Sequence, residues 1–452
     1  MGRILLGGIA LIGLIGIANA ADMAPKYPVK APPPPAPVYD WTGFYLGGFY
    51  GNSLSQSQAS TPAPGLPVGT HSGAVDINNI GWSGGGEAGY NWQFAPTWLV
   101  GVEGDFGYFG GNRLSKEWDD AIADGEKNSW YATLRGRIGY VTGPSLLYVT
   151  GGVGFVHVTD TFGGTAVIAP TASATTTTGG TIGAGIETKL SRNWSTKTEY
   201  LYIDGGHHSF ASNSEGIVGT PTTFSHSFQV IKTGLNYRFD GNWDGLPFFN
   251  TTLLASNHNW NGFYVGGNAG IGASLTQTHA VATTTGNADL NGNGFAGGGE
   301  AGYNYMLWNK YLVGLEGDFG ALTTNHQVND WFDTGLAMFS QKTNWYGTMR
   351  ARLGTTTGPA LLYITGGAAW VNLQDGYQPQ GAFAGQLISR TASGWTVGGG
   401  TEVALDAHWS AKLESLFIRT GSTTAAVFPT TLTTSFKDQF MVVRAGLDYA
   451  FN

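Results

Sequence analysis

The sequence predicts an all-β protein made of two tandem eight-stranded antiparallel transmembrane β-barrels, with one sixteen-stranded barrel as the alternative. Three observations predict it. Apolar and polar residues alternate at every second position through about eight segments in each half of the chain. The two halves repeat one another. Connections between segments alternate between tight turns and long polar stretches, the pattern of a barrel with one face in the periplasm and the other outside the cell.

The chain begins with a segment read as a signal peptide, residues 1–20. Arg3 and the terminal amine form its positive end, Ile4–Ile17 its apolar core, and Ala18-Asn19-Ala20 an A-x-A cleavage site. Beyond it no run of 18 apolar residues exists, so a helical span is not expected there. Residues 21–39 carry PKYPVKAPPPPAP, an extended polyproline tether with no core of its own, placed in the periplasm.

The first barrel is assigned to 40–240 and the second to 259–452, with a linker at 241–258. Trp41-Thr-Gly-Phe-Tyr-Leu-Gly-Gly48 returns as Trp260-Asn-Gly-Phe-Tyr-Val-Gly-Gly267, and Gly84-Gly-Gly-Glu-Ala-Gly-Tyr-Asn91 as Gly297-Gly-Gly-Glu-Ala-Gly-Tyr-Asn304. Leu99-Val-Gly-Val-Glu-Gly-Asp-Phe-Gly107 returns as Leu312-Val-Gly-Leu-Glu-Gly-Asp-Phe-Gly320, and Trp130–Gly152 matches Trp345–Gly367. Each copy is domain-sized, far longer than a solenoid unit.

Within a copy, one face of each strand is apolar and the other charged. Trp130, Ala132, Leu134, Ile138 and Tyr140 oppose Thr133, Arg135 and Arg137; Val100, Val102, Phe106 and Tyr108 oppose Glu103 and Asp105. Aromatics gather near strand ends. Trp92, Trp98, Tyr140 and Trp194 are placed at one interfacial girdle, and Tyr108, Trp130 and Tyr202 at the other. Tight turns are read at Ala95-Pro96-Thr97, Gly143-Pro144 and Ser191-Arg192-Asn193. Long polar loops are read at Asn52–Ile80, Gly111–Asn128 and Gly205–Ser225. Outer-membrane lipid therefore surrounds the expected barrels.

The inward charges nearly balance in each copy. In the first they are Glu87, Glu103, Asp105, Glu187 and Glu199 against Arg135, Arg137, Lys197 and Lys232. In the second they are Glu300, Glu316, Asp318, Glu402 and Glu414 against Arg350, Arg352, Lys412 and Arg444. An eight-stranded lumen is just wide enough for side chains to fill it. Opposite charges there would satisfy one another, whereas a wide wet channel would not need balance. The charges are read as a structural plug, and this favours two narrow barrels over one wide one.

Each copy ends in a strand with Gly and two alternate aromatics: Gly234, Tyr237 and Phe239, then Gly446, Tyr449 and Phe451. These look like the terminal-strand signal read by the barrel-assembly machinery, although the chain continues one residue past Phe451. Taken together, WTGFYLGG after an AD start and a Pro-rich stretch, GGGEAGYNW, LVGVEGDFG and the terminal GLNYRF resemble the alphaproteobacterial outer-membrane surface-antigen family, the porin-family, OmpA-like or opacity-type barrels. The duplication departs from the usual single barrel of that family. The resemblance implies a β-barrel in the bacterial outer membrane with exposed loops. It implies no single activity.

Composition narrows the function classes. Charged residues make up 12% of the chain, about half the usual share. The net charge of −8 argues against a nucleic-acid partner, and the lack of Cys excludes thiolate zinc and iron–sulfur sites. Gly84-x-Gly86-x-x-Gly89 lacks the following helix that a dinucleotide site needs. Gly81-Trp-Ser83-Gly-Gly85 lacks that helix too, and its repeat has Ala296 at the serine position. His207 and His208 with Asp204 are read as a solvated loop rather than a metal site. His226 with Ser227 is the lone candidate for a rim enzyme, and a weak one. No catalytic residue, cofactor or metal is expected. The function expected is structural: a barrel that presents extracellular loops, with cell-surface ligands compatible and envelope integrity supported. Passive diffusion of small solutes is the alternative.

Overall fold

A computed structural model describes residues 39–61, 73–117, 122–164, 169–214, 217–239, 258–281, 285–308, 310–332, 335–357, 359–379, 385–426 and 433–451. The signal peptide and the tether lie outside these residues, Tyr39 apart, as does the linker apart from His258.

The first copy forms β1 (Gly43–Thr61), β2 (Gly73–Ala95), β3 (Trp98–Phe109), β4 (Asn112–Glu117), β5 (Ile122–Thr142), β6 (Ser145–Gly164), β7 (Thr171–Lys189), β8 (Trp194–Ser214) and β9 (Ile217–Arg238). β3 and β4 both pair with β5 and are two stretches of one barrel strand, which makes eight. The second copy forms β10 (Gly262–Val281), β11 (Thr285–Leu307), β12 (Tyr311–Leu322), β13 (Asn325–Phe332), β14 (Gly335–Thr357), β15 (Ala360–Pro379), β16 (Gln386–Ala404), β17 (Trp409–Thr420), β18 (Thr423–Ala426) and β19 (Thr433–Ala450). Here β12 with β13 and β17 with β18 are the interrupted strands.

Closure decides between one ring and two. β1 pairs antiparallel with β9, from Tyr45 opposite Arg238 to Ser60 opposite Thr223. β10 pairs antiparallel with β19, from Tyr264 opposite Ala450 to Val281 opposite Thr433. Each copy closes on itself, and the sixteen-stranded alternative is set aside. A single bridge between Asp76 and Asp289 joins the rings edge to edge.

The alternation read from the sequence sets the two faces of each wall. On β3, Val102, Phe106 and Tyr108 are exposed outward while Glu103 and Asp105 are buried inward. Trp98 and Tyr108 stand ten residues apart on that strand, about 33 Å of strand and about 25 Å along the membrane normal at the usual tilt. That is the height of an outer-membrane apolar band. Neighbouring rings meet at both girdles: Trp98 with Tyr140 at 5.4 Å, Trp194 with Tyr237 at 5.1 Å, and Phe106 with Trp130 at 5.7 Å.

The tight turns fall where the sequence places them, between β2 and β3, β5 and β6, and β7 and β8. The long connections do not stay loops. Asn52–Thr61 pairs with Gly73–Trp82, and β8 and β9 run on to Ser214 and from Ile217. Ser- and Thr-rich stretches suit a strand whose outer face meets water. The hairpins therefore continue above the aromatic girdle as a ladder with polar outer faces.

The two barrels also cover part of each other's outer wall. Leu54, Ile186, Tyr200 and Ile231 of the first are buried against Ala411, Leu413, Met441 and Val443 of the second. Thr198 and Thr401 share a hydrogen bond of 2.6 Å there. The two hydroxyls satisfy each other among apolar side chains, where an unpaired one would be costly.

Candidate functional site

The lumens hold the charged residues, and they are filled in layers. At the tight-turn mouth of the first barrel Trp41, from the opening motif, folds inward and packs with Leu99, Val141, Leu146 and Tyr148. Lys189 lies 5.1 Å over its ring and donates to the Asp40 carbonyl at 2.5 Å. Trp260 repeats the arrangement with Leu312, Leu361 and Tyr363. The sequence marks this motif as a repeat and as part of the family resemblance; that Trp41 and Trp260 fill the barrel mouths depends on the entering chain turning inward, which alternation does not report.

Above the tryptophan lies the ion network. Arg135 reaches Glu103 at 2.6 Å, Asp105 at 2.9 Å and Glu199 at 3.0 Å. Arg137 reaches Glu187 at 3.1 Å. Lys197 bridges Glu87 at 2.5 Å and Glu103 at 2.8 Å, while Lys232 bridges Asp105 at 2.5 Å, Glu87 at 3.2 Å and Glu199 at 3.2 Å. In the second barrel Arg350 pairs with Glu316, with Asp318 at 2.7 Å and with Glu414 at 3.0 Å. Arg352 meets Glu402 at 2.7 Å, Lys412 meets Glu300 at 2.6 Å, and Arg444 meets Glu414 at 2.6 Å and Asp318 at 2.7 Å. All eighteen residues named from the sequence are brought into these two clusters, and all are buried. Asp448 joins the second, 3.6 Å from Lys412. It was missed, although it shares the parity of Arg444.

Tyrosines finish the layer. Tyr45 donates to Glu103 at 2.5 Å and Tyr148 to Glu199 at 2.7 Å; Tyr264 and Tyr363 do the same to Glu316 at 2.6 Å and Glu414 at 2.8 Å. Gly89 and Gly302 make room for this, since a Cβ at either would run into the Tyr45 or Tyr264 hydroxyl.

Over the charges sits an apolar layer. In the first barrel Phe109 stacks on Tyr131 at 4.7 Å and on Phe228 at 5.3 Å, with Phe49, Val156 and Leu201 around them. In the second, Tyr346, Leu416, Ile418 and Phe440 take that place. A second polar layer follows, which the sequence reading did not assemble. It contains Glu126, Asp160 and His226 in the first barrel, and Asp375, Asp438 and Arg390 in the second. Bulges at Asn128/Trp130 and Thr343/Trp345 shift the alternation, so residues before them face inward on the opposite parity. Of this layer only Glu126 lies beyond such a bulge; His226 keeps the parity of Lys232 and Asp438 that of Arg444, and Asp160 and Asp375 stand at matching offsets in the repeat.

The motifs set aside lie in strands. Ser83 is buried beside the Tyr131 hydroxyl at 3.3 Å. His226 and Ser227 point to opposite faces, His226 to Glu126 and Ser227 to the Gln56 carbonyl. The His207–His208 pair is likewise split: His207 meets Ser225, His208 turns inward to Asp160, and Asp204 accepts from the Gly206 amide.

The terminal-strand residues lie toward the tight-turn end of β9 and β19. Tyr237 and Phe239 are edge to face at 5.2 Å, as are Tyr449 and Phe451 at 5.4 Å, and both phenylalanines are exposed on the outer wall. Gly234 faces β1, where a Cβ would meet the Gly48 carbonyl and Phe49; one at Gly446 would meet Lys412. Ala18 and Ala20 lie outside the described residues.

The pattern that defines the outer membrane protein beta-barrel domain matches residues 9–239 and again 247–451. The chain belongs to that family. The 31 kDa outer-membrane immunogenic protein of Brucella melitensis is 33% identical over 233 residues, covering 49% of this chain and 93% of the relative. The 22 kDa outer membrane protein of Rhizobium leguminosarum is 33% identical over 175 residues, 38% of this chain and 67% of the relative. Among solved structures, that of Neisserial surface protein A is similar at 14% identity and a TM-score of 0.25, over 44% of this chain and 98% of that one. One copy thus corresponds to nearly a whole Brucella relative, and this family member is a tandem duplication with alphaproteobacterial relatives. The protein resides in the bacterial outer membrane.

Proposed function

We propose that the protein is a structural and surface-presenting component of the outer membrane. Two sealed barrels anchor extracellular hairpins and contribute to envelope integrity. One observation carries the reading: each lumen is occupied from the periplasmic tryptophan through the ion network to the aromatic layer, with the pairing side chains 0–4% exposed. A diffusion channel needs a continuous wet path, and the charges that would line it are already satisfied by one another. The immunogenic naming of the Brucella relatives fits a surface that is seen from outside the cell. Assembly is proposed to use the terminal strands as substrates of the barrel-assembly machinery, with outer-membrane lipid around the walls. Cell-surface ligands would meet the extracellular hairpins. The proposal includes no catalytic step.

The test is electrical. Full-length protein refolded in detergent and inserted in planar lipid bilayers is expected to be silent or to give rare small events. Stable steps on the nanosiemens scale would overturn the sealed-barrel reading in favour of a porin.

A further inference from the structure

We infer that the upper lumen of the first barrel is a binding site for a divalent metal ion of the zinc class, held by His226, Asp160 and His208. Three strands converge there. Asp160 on β6 places Oδ2 at 3.2 Å from His226 Nε2 on β9 and 3.3 Å from His208 Nδ1 on β8. Zinc bonds of about 2.0–2.1 Å in tetrahedral geometry set neighbouring donor atoms about 3.3 Å apart. The two spacings from Asp160 Oδ2 match two edges of such a tetrahedron. Two imidazoles and one carboxylate select zinc-like ions over magnesium or calcium, which take oxygen ligands.

The second observation is an unmet valence. His226 Nε2 and Asp160 Oδ1 are buried and make no hydrogen bond. Although Nε2 stands close to Asp160 Oδ2, the pair lacks hydrogen-bond geometry. On its other side the His226 ring is fixed. Nδ1 lies 3.1 Å from Glu126 Oε2 and 3.0 Å from Ser57 Oγ, and Ser55 and Ser57 both donate to Glu126. This is the carboxylate–histidine arrangement that holds the proton on one ring nitrogen and turns the other toward a metal.

The third observation comes from the repeat. The second barrel carries Asp375 and Asp438 where the first has Asp160 and His226, and it places its own cation between them. Arg390 reaches Asp438 at 2.8 Å and Asp375 at 3.4 Å. Its position in the first barrel is Thr175, as the strand pairings show. The guanidinium that joins the second barrel's two carboxylates has no counterpart in the first, where Thr175 leaves its space open and His226 faces both Glu126 and Asp160. His208 is aimed by a bulge between Asp204 and His207, where Gly206 takes φ +68°. At 17% side-chain exposure it leaves an entry side.

The experiment uses full-length protein refolded in detergent, stripped with chelator and titrated with zinc chloride, with bound metal counted by equilibrium dialysis. One zinc per chain is expected. His208→Ala and Asp160→Asn should each weaken binding at least about tenfold, while Asp375→Asn in the second barrel should leave it unchanged. Cobalt should give the visible absorption of a tetrahedral site, lost in His208→Ala. His208 lies at the rim of the layer, so its variant keeps the test readable if Asp160→Asn does not refold. Absence of bound zinc in the parent protein, or equal binding by the parent and His208→Ala, would overturn the inference.

Discussion

Arg135 is surrounded by Glu103, Asp105 and Glu199, and none of these side chains is more than 1% exposed. Removing the guanidinium leaves these three carboxylates and Glu87 to Lys197, Lys232 and Arg137, in a medium that cannot solvate them. Breaking a buried ion pair on one side costs about 3–5 kcal/mol. Arg135→Met, which keeps most of the volume, is expected to lower the stability of the first barrel by about that amount, read as a shift of the urea midpoint of refolded protein in lipid. An unchanged midpoint would mean that water reaches the network. At this scale the sequence was most legible where alternation ran unbroken. Glu103, Asp105, Arg135 and Arg137 could be assigned inward from parity alone. Glu126 could not, because the bulge at Asn128/Trp130 reverses the parity just before it. Asp448 was readable and was overlooked.

Strands and turns were legible for the same reason, and their ends were not. Tight turns carry Pro, Gly or Asn at fixed places. The second copy shows why such turns hold: the Asp406 carboxylate accepts from the amides of Trp409 and His408, both at 2.8 Å, and these bonds hold it below the ordinary aspartate range. The upper hairpins are polar on their outer face, so composition resembles that of a loop, and only cross-strand pairing reveals them as strands. The terminal strands carry a further expectation. Phe451 is exposed at the edge of β19 as Phe239 is at the edge of β9. Phe451→Ala is expected to reduce the heat-modifiable, folded protein in outer-membrane fractions severalfold. Undiminished yields for Phe451→Ala would remove the terminal strand from the assembly account.

For the whole molecule, duplication yields two closed rings rather than one enlarged ring, because each copy brings both edges that it needs. The first strand of each copy meets the last strand of the same copy over most of its length. A narrow ring then forces the inward charges together, and the sealed lumen follows from that closure. The chain has no Cys, so one introduced pair reports the closure without background. Tyr50 lies opposite Thr233 across β1 and β9, while Ala445 lies opposite Ala269 across β19 and β10. With Tyr50→Cys and Thr233→Cys together, oxidation of the protein in outer membranes should give an intramolecular disulfide in most chains. With Tyr50→Cys and Ala445→Cys it should give none. Cross-linking of the second pair and not the first would mean a single sixteen-stranded ring, and would contradict the account at its root.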